Sequence, residues 1–228
     1  MIQLLDHGYV KFIDSWGSDA AIVEAARMST GKGFKGWGTA DNPGDEKLLR
    51  YLWEHKHMTP FEMAGMVIEV KAPIFVFREW HRHRTQSYNE MSARYVPLPD
   101  ENYVPSVERL MRGGGANKQA QGTGTELTEK GAEEFRRVLR FDYAAQQSTY
   151  ESALAEGVPK ELARVVLPVG RYSAMRASAN LRNWLAFCEL RSTKHAPGAQ
   201  WEIQQYADAV SALLWNRFPK TFQLYDGE

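Results

Sequence analysis

Cysteine is nearly missing from this 228-residue chain, Cys188 being the only one. That excludes an intrachain disulfide framework and suits a reducing, cytoplasmic setting. Long apolar runs are missing too. None approaches the roughly 18 residues a membrane-crossing helix needs, so no membrane contact is expected. The start, Met1-Ile2-Gln3-Leu4-Leu5-Asp6-His7, has no basic segment ahead of an apolar one, so no secretory leader is expected. Nor does charge of one sign dominate. Twenty-eight Lys and Arg offset 28 Asp and Glu, so the chain as a whole makes no nucleic-acid-binding field and any anion site must be local. No Gly-x-Ser-x-Gly elbow supports a serine hydrolase. Glycines do crowd residues 113–124, but no strand precedes them and no Lys-Ser/Thr pair follows. The stretch reads as a mobile loop and not as a phosphate cradle.

What is present is a soluble composition, 43% hydrophobic and 25% charged, and a length sufficient for one sizeable core. Loose alternation over residues 3–15 predicts a hairpin. Ser18-Asp19 caps a helix through Ala26, residues 31–44 form a loop, and Asp45 caps a helix through His57 that Thr59-Pro60 breaks. A strand is predicted over 66–70, and a helix from Pro73 through His81 into the residues beyond. Residues 97–105 read as extended and 106–112 as a helical turn. A long helix spans 128–156, with Phe135, Val138, Leu139, Tyr143, Tyr150 and Leu154 as its apolar side. A helix over 159–167, a strand over 172–179 and helices over 180–192 and 200–218 complete the chain. No linker divides it. The expectation is a single α+β domain over 1–228, dominated by helices, with a small antiparallel or mixed sheet.

The chemistry concentrates in residues 82–95, Arg-His-Arg-Thr-Gln-Ser-Tyr-Asn-Glu-Met-Ser-Ala-Arg-Tyr, which hold three arginines. Almost no apolar residue recurs at helical spacing. Arginine forks match phosphates and planar heterocycle edges, and the interleaved hydroxyl and amide groups fix orientation, so the stretch reads as an anion site. On a helix Arg82, His83 and Arg84 would point about 100° apart. Either the helix ends there or the residues serve neighbouring ligands, which favours a site shared between chains. His55-Lys56-His57 and His81-Arg82-His83 resemble metal-binding pairs. Helical placement splays them and each encloses a cation, so no metal is expected. Cys188 lies in an apolar run with no histidine nearby and reads as core. Ser92 has no neighbouring base to activate it. A nucleic-acid-binding module using the same arginines is disfavoured by zero net charge and by the lack of an aromatic platform on a strand.

Residues 82–95 closely resemble the Arg-His-Arg…Ser…Asn-Glu…Ser…Arg-Tyr signature of the flavin-dependent thymidylate synthases. Residues 57–62, 72–75, 164–168 and 200–206 resemble the same family, so the likeness covers nearly the whole chain outside 113–124. It implies a homotetramer with FAD at subunit interfaces, and reductive methylation of dUMP to dTMP with 5,10-methylenetetrahydrofolate as carbon donor and NADPH as reductant. By resemblance FAD is held by His57, Thr59, Arg82, His83, Arg84, Glu90, Asn180, Leu181 and Arg182. The nucleotide is held by Glu79, Trp80, His81 and Arg82, by Glu90, Met91, Ser92, Ala93 and Arg94, and by Arg164 and Arg191. Tyr95 matches a flavin- or folate-contacting position. Arg191 matches the catalytic arginine that activates the pyrimidine, with no cysteine nucleophile. Three positions depart from the pattern. Glu79 stands where the family often has Gln, Ala186 where a polar side chain is common, and the Pro197-Gly198 insertion blurs any role for His195.

Overall fold

The computed structural model describes residues 1–39, 41–112 and 127–227, and the predicted loop over 113–124 lies outside them. Five strands, β1 (Ile2–Leu4), β2 (Gly8–Trp16), β3 (Gly65–Pro73), β4 (Ser87–Glu90) and β5 (Tyr172–Asn180), form one sheet in the order β1-β2-β3-β5-β4, every pairing antiparallel. β1 (Ile2–Leu4) and β2 (Gly8–Trp16) make the expected hairpin. β3 (Gly65–Pro73) and β5 (Tyr172–Asn180) pair along nine residues each, and both outrun their predicted spans. A Cβ at Gly65 would stand 2.5 Å from the carbonyl oxygen of Ala179, so only glycine admits this approach.

The sheet is buried on one face, as its alternation requires. Met66, Ile68, Val70 and Ala72 of β3 and Met175, Ala177 and Ala179 of β5 point into the core. The other face carries Glu69, which accepts a hydrogen bond from Tyr9 at 3.0 Å and sits 3.5 Å from Arg176. Against the buried face pack α3 (Ile74–Trp80), α7 (Leu181–Arg191) and α8 (Trp201–Arg217). Their fully buried Phe77, Phe187 and Leu214 contribute about 1.5–3 kcal/mol each. α1 (Asp19–Arg27), capped by Ser18, and α2 (Gly44–Glu54) flank this core. α4 (Val107–Met111) and α5 (Glu129–Ala155) follow the predicted spans closely.

Five expectations need correction. Asp45 does not cap α2. Its buried carboxylate instead pairs with Arg27 and accepts from the Lys35 amide at 2.6 Å. α2 ends at Glu54, leaving His57 outside it, because Lys56 takes a positive φ of 57°. The predicted helix over 159–167 is helical only through α6 (Lys160–Ala163), closing in a tight turn at Arg164–Val166. Phe218-Pro219 does not end the chain's helices: Pro219 opens α9 (Pro219–Asp226), since proline at a first helical position lacks only an N–H that would be unpaired anyway.

The fifth correction matters most. α3 stops at Trp80, and residues 87–90 form β4 (Ser87–Glu90), pairing with β5 from Ser87↔Ser178 to Glu90↔Met175. The arginine-rich stretch is therefore a turn followed by an edge strand. Along α5 the predicted apolar side is partly covered: Tyr150 is buried, Leu139, Tyr143 and Leu154 are half-buried, and Phe135 and Val138 are 48% and 41% exposed, while Phe141, outside that side, is 71% exposed.

Candidate active site

Two junctions create the site, one without a loop and one a short turn. Asn180 ends β5 and caps α7, its side chain accepting from the Asn183 amide at 2.9 Å. The helix then runs back across the sheet for eleven residues, about 16 Å, to Arg191 at its C-terminus. There a cation suits the helix dipole. On the other side α3 gives way at Trp80 to the tight turn 81–86, which feeds β4. Because β4 and β5 are hydrogen-bonded neighbours, the turn and α7 lie side by side. Asn183 Nδ2 joins them, donating to the Thr85 carbonyl at 3.3 Å.

The turn is braced from below. Buried Trp80 donates through Nε1 to Gln86 Oε1 at 3.0 Å and stacks on Phe187, ring centroids 4.5 Å apart. The Tyr88 hydroxyl donates to the His83 carbonyl at 2.7 Å, and burial pushes its pKa up to about 12, so it remains a donor. Phe187 also meets the His83 ring edge-on at 4.9 Å. Phe187 and Arg191 are four residues apart on α7, hence on one face.

Arg191 closes the arrangement. Its Nε donates to His83 Nε2 at 3.1 Å, its Nη1 to Glu79 Oε2 at 2.8 Å, and its Nη2 to the Glu79 carbonyl at 3.4 Å. Burial first, then the Arg191 guanidinium, pushes the His83 pKa down to about 4, against a weaker upward pull from Glu79. At neutral pH the imidazole is therefore uncharged. Accepting at Nε2 leaves its proton on Nδ1.

The remaining predicted residues fall into groups. Arg82 and Arg84 are exposed and have no carboxylate partner among the described residues. Arg94 and Arg164 converge on Glu161: Arg94 Nη2 lies 3.3 Å from its carboxylate, and Arg164 Nε donates to its carbonyl at 3.3 Å. Arg182, in the first turn of α7, pairs with Glu62 at 2.6 Å, which brings it to the turn that begins at Thr59. His57 is exposed and faces Tyr51 edge-on at 5.7 Å. Glu90 and Met91 are exposed at the end of β4, and Ser92 Oγ accepts from the Arg94 amide at 3.3 Å. Exposed Tyr95 lies beside the Arg94 guanidinium, and the His81 ring packs between Phe77 and Tyr88.

Trp80, Ala93 and Leu181 are buried, so their side chains face the core and only their backbones could meet a ligand. Asn180's side-chain oxygen is engaged in capping. Cys188 is fully buried against α8, its pKa pushed up to about 12 by desolvation, as a core residue's would be. No group of three or more potential metal ligands occurs among the described residues. Sequence reasoning missed Phe187 and Asn183, and it held Gln86 and Tyr88 only as members of the 82–95 stretch, without their bracing roles. Phe187 carried one signal, its four-residue spacing from Arg191.

Residues 11–220 match the family model described as thymidylate synthase complementing protein. The flavin-dependent thymidylate synthase of Thermus thermophilus is 41% identical over 225 residues, covering 99% of this chain and 78% of that one. The chain belongs to the flavin-dependent thymidylate synthase family. The Thermotoga neapolitana member is 38% identical, with 98% and 93% of the two chains covered. Among solved structures, a UMP/dUMP methylase from Streptomyces cacaoi bound with 5-Br UMP superposes with a TM-score of 0.84 at 33% identity, covering 99% of this chain and 96% of that one. The protein is thus an enzyme of this family, with the family's helix-rich fold around a small antiparallel sheet.

Proposed function

We propose that the enzyme converts dUMP to dTMP with FAD as cofactor, 5,10-methylenetetrahydrofolate as carbon donor and NADPH as reductant. In the balanced reaction dUMP, methylenetetrahydrofolate, NADPH and a proton give dTMP, tetrahydrofolate and NADP⁺. The C5 hydrogen leaves as a proton and a methylene plus a hydride replaces it. The observation that carries the reading is Arg191, a permanently charged fork held at a helix end by Glu79 and His83. Such a group stabilises negative charge on a pyrimidine without exchanging protons with it.

Further donors fit the ligands. Exposed, uncompensated Arg82 and Arg84 suit a pyrophosphate, and with Thr59, Glu90 and Arg182 they would hold FAD, which supplies the hydride chemistry when bound. Arg94 and Arg164 would hold the nucleotide phosphate, displacing Glu161. The backbone of 91–93 and the Ser92 hydroxyl would orient the sugar and base. His57 and Tyr95 would border flavin or folate. No covalent enzyme nucleophile is involved: Cys188 is buried and protonated, and Ser92 has no base hydrogen-bonded to it among the described residues.

The exposed apolar residues Phe135, Val138 and Phe141 of α5 offer a face for self-association. We infer a homotetramer with sites completed between subunits, the protein acting in the cytoplasm without nucleic-acid or membrane partners. No helix among the described residues is long and apolar enough to cross a membrane. Complementation of a thymidine-requiring strain tests the reading. Growth without thymidine from the wild-type gene, and none from Arg191→Ala, is expected; failure of a well-expressed, FAD-loaded wild type would overturn it.

A further inference from the structure

We propose that Glu79 and His83 are positioning residues for Arg191, together fixing which of its N–H groups face the pyrimidine. The inference rests on the reading of Arg191 as the group that polarises the substrate ring, and assigns its orientation to two specific acceptors. A guanidinium has five N–H donors in a rigid plane. Three are engaged here, one each by His83 Nε2 at 3.1 Å, Glu79 Oε2 at 2.8 Å and the Glu79 carbonyl at 3.4 Å. Two remain, one on each Nη nitrogen, and these are the N–H groups left to a ligand. Donors aimed before charge develops need not reorganise when it does.

Each acceptor is itself held. Phe187 supports the His83 ring at 4.9 Å and the Tyr88 hydroxyl holds its carbonyl at 2.7 Å. Glu79 sits in the last turn of α3, anchored by buried Trp80 beside it. The two acceptors also differ in kind. His83 orients without adding charge. Glu79 orients and partly offsets the guanidinium charge, so an anionic substrate meets a less positive fork than Arg191 alone would present.

That difference separates the variants. Glu79→Gln keeps an acceptor oxygen and removes the negative charge; Glu79→Ala removes both. With FAD-loaded enzyme and dUMP varied, Glu79→Ala is expected to lower kcat by about tenfold or more, with flavin content and melting temperature unchanged. Glu79→Gln is expected to keep kcat within about threefold and to lower the KM for dUMP. Glu79→Ala turning over at the wild-type rate, or Glu79→Gln falling as far as Glu79→Ala, would overturn the assignment. A measurement without turnover runs beside it: in ¹⁵N spectra of the ligand-free protein, the Arg191 Nε–H should exchange slowly, and fast in Glu79→Ala and His83→Ala. Exchange as fast as that of exposed Arg82 in the wild type would also overturn it. Should the wild type bind FAD yet leave dUMP unconverted, the activity reading fails while the Nε–H measurement still decides this one.

Discussion

Arg191 and His83 stand 108 positions apart in the chain, yet the arginine Nε lies 3.1 Å from the imidazole Nε2. That contact exists only while the imidazole is neutral. His83 has an unfolded value of 6.5 and a folded value of about 4, so between these pH values the unfolded chain binds more protons than the folded one. Its contribution to stability is complete above pH 6.5 and declines as pH falls through that window. An NMR titration of the His83 ring should give a midpoint near 4. A midpoint near 6.5 would show that neither burial nor Arg191 acts on it.

Arg191→Ala should leave the fold intact, since the side chain lies at a helix end and not in the core, and should cut kcat by about 10²–10³ or more. Arg191→Lys retains charge and loses the fork, and should recover little. Steady-state rates with circular dichroism on both variants check this; near-wild-type turnover in Arg191→Ala would remove it from the mechanism.

Cys188→Ala should turn over at nearly the wild-type rate and lose about 1 kcal/mol of stability through the small void it leaves. Cys188→Ser should be less stable than Cys188→Ala because it buries a hydroxyl. Thermal melts and initial rates check both. A folded but inactive Cys188→Ala would restore the thiol as a nucleophile.

Phe141→Glu, on the exposed stripe of α5, should leave each chain folded and break self-association, reducing the sedimentation coefficient and flavin retention together. Wild type sedimenting as a monomer that still turns dUMP over would contradict the shared site.

The helices were legible where apolar spacing is long and regular. α5, α7 and α8 lie within a residue or two of their predicted ends, and Thr128 and Asn180 cap the first two as ordinary polar N-caps. β4 was not legible. An edge strand of Ser-Tyr-Asn-Glu has no apolar alternation, and only pairing with β5 makes it a strand. α9 was missed because proline marks a helix start as well as a stop. Within the site, the sequence placed Arg191 and the 82–95 stretch in one neighbourhood only through family resemblance. It could not say that His83 is uncharged, because its state depends on burial and on Arg191. Nor could it separate Trp80, Ala93 and Leu181, which the core takes, from the exposed residues beside them.

The most direct test of the account is release of tritium from C5-tritiated dUMP by the FAD-loaded protein with methylenetetrahydrofolate and NADPH. Wild type should release tritium to water in step with dTMP formation, and Arg191→Ala should do neither while remaining folded and yellow. Tritium retained by a FAD-loaded wild type, or released equally by Arg191→Ala, would contradict it.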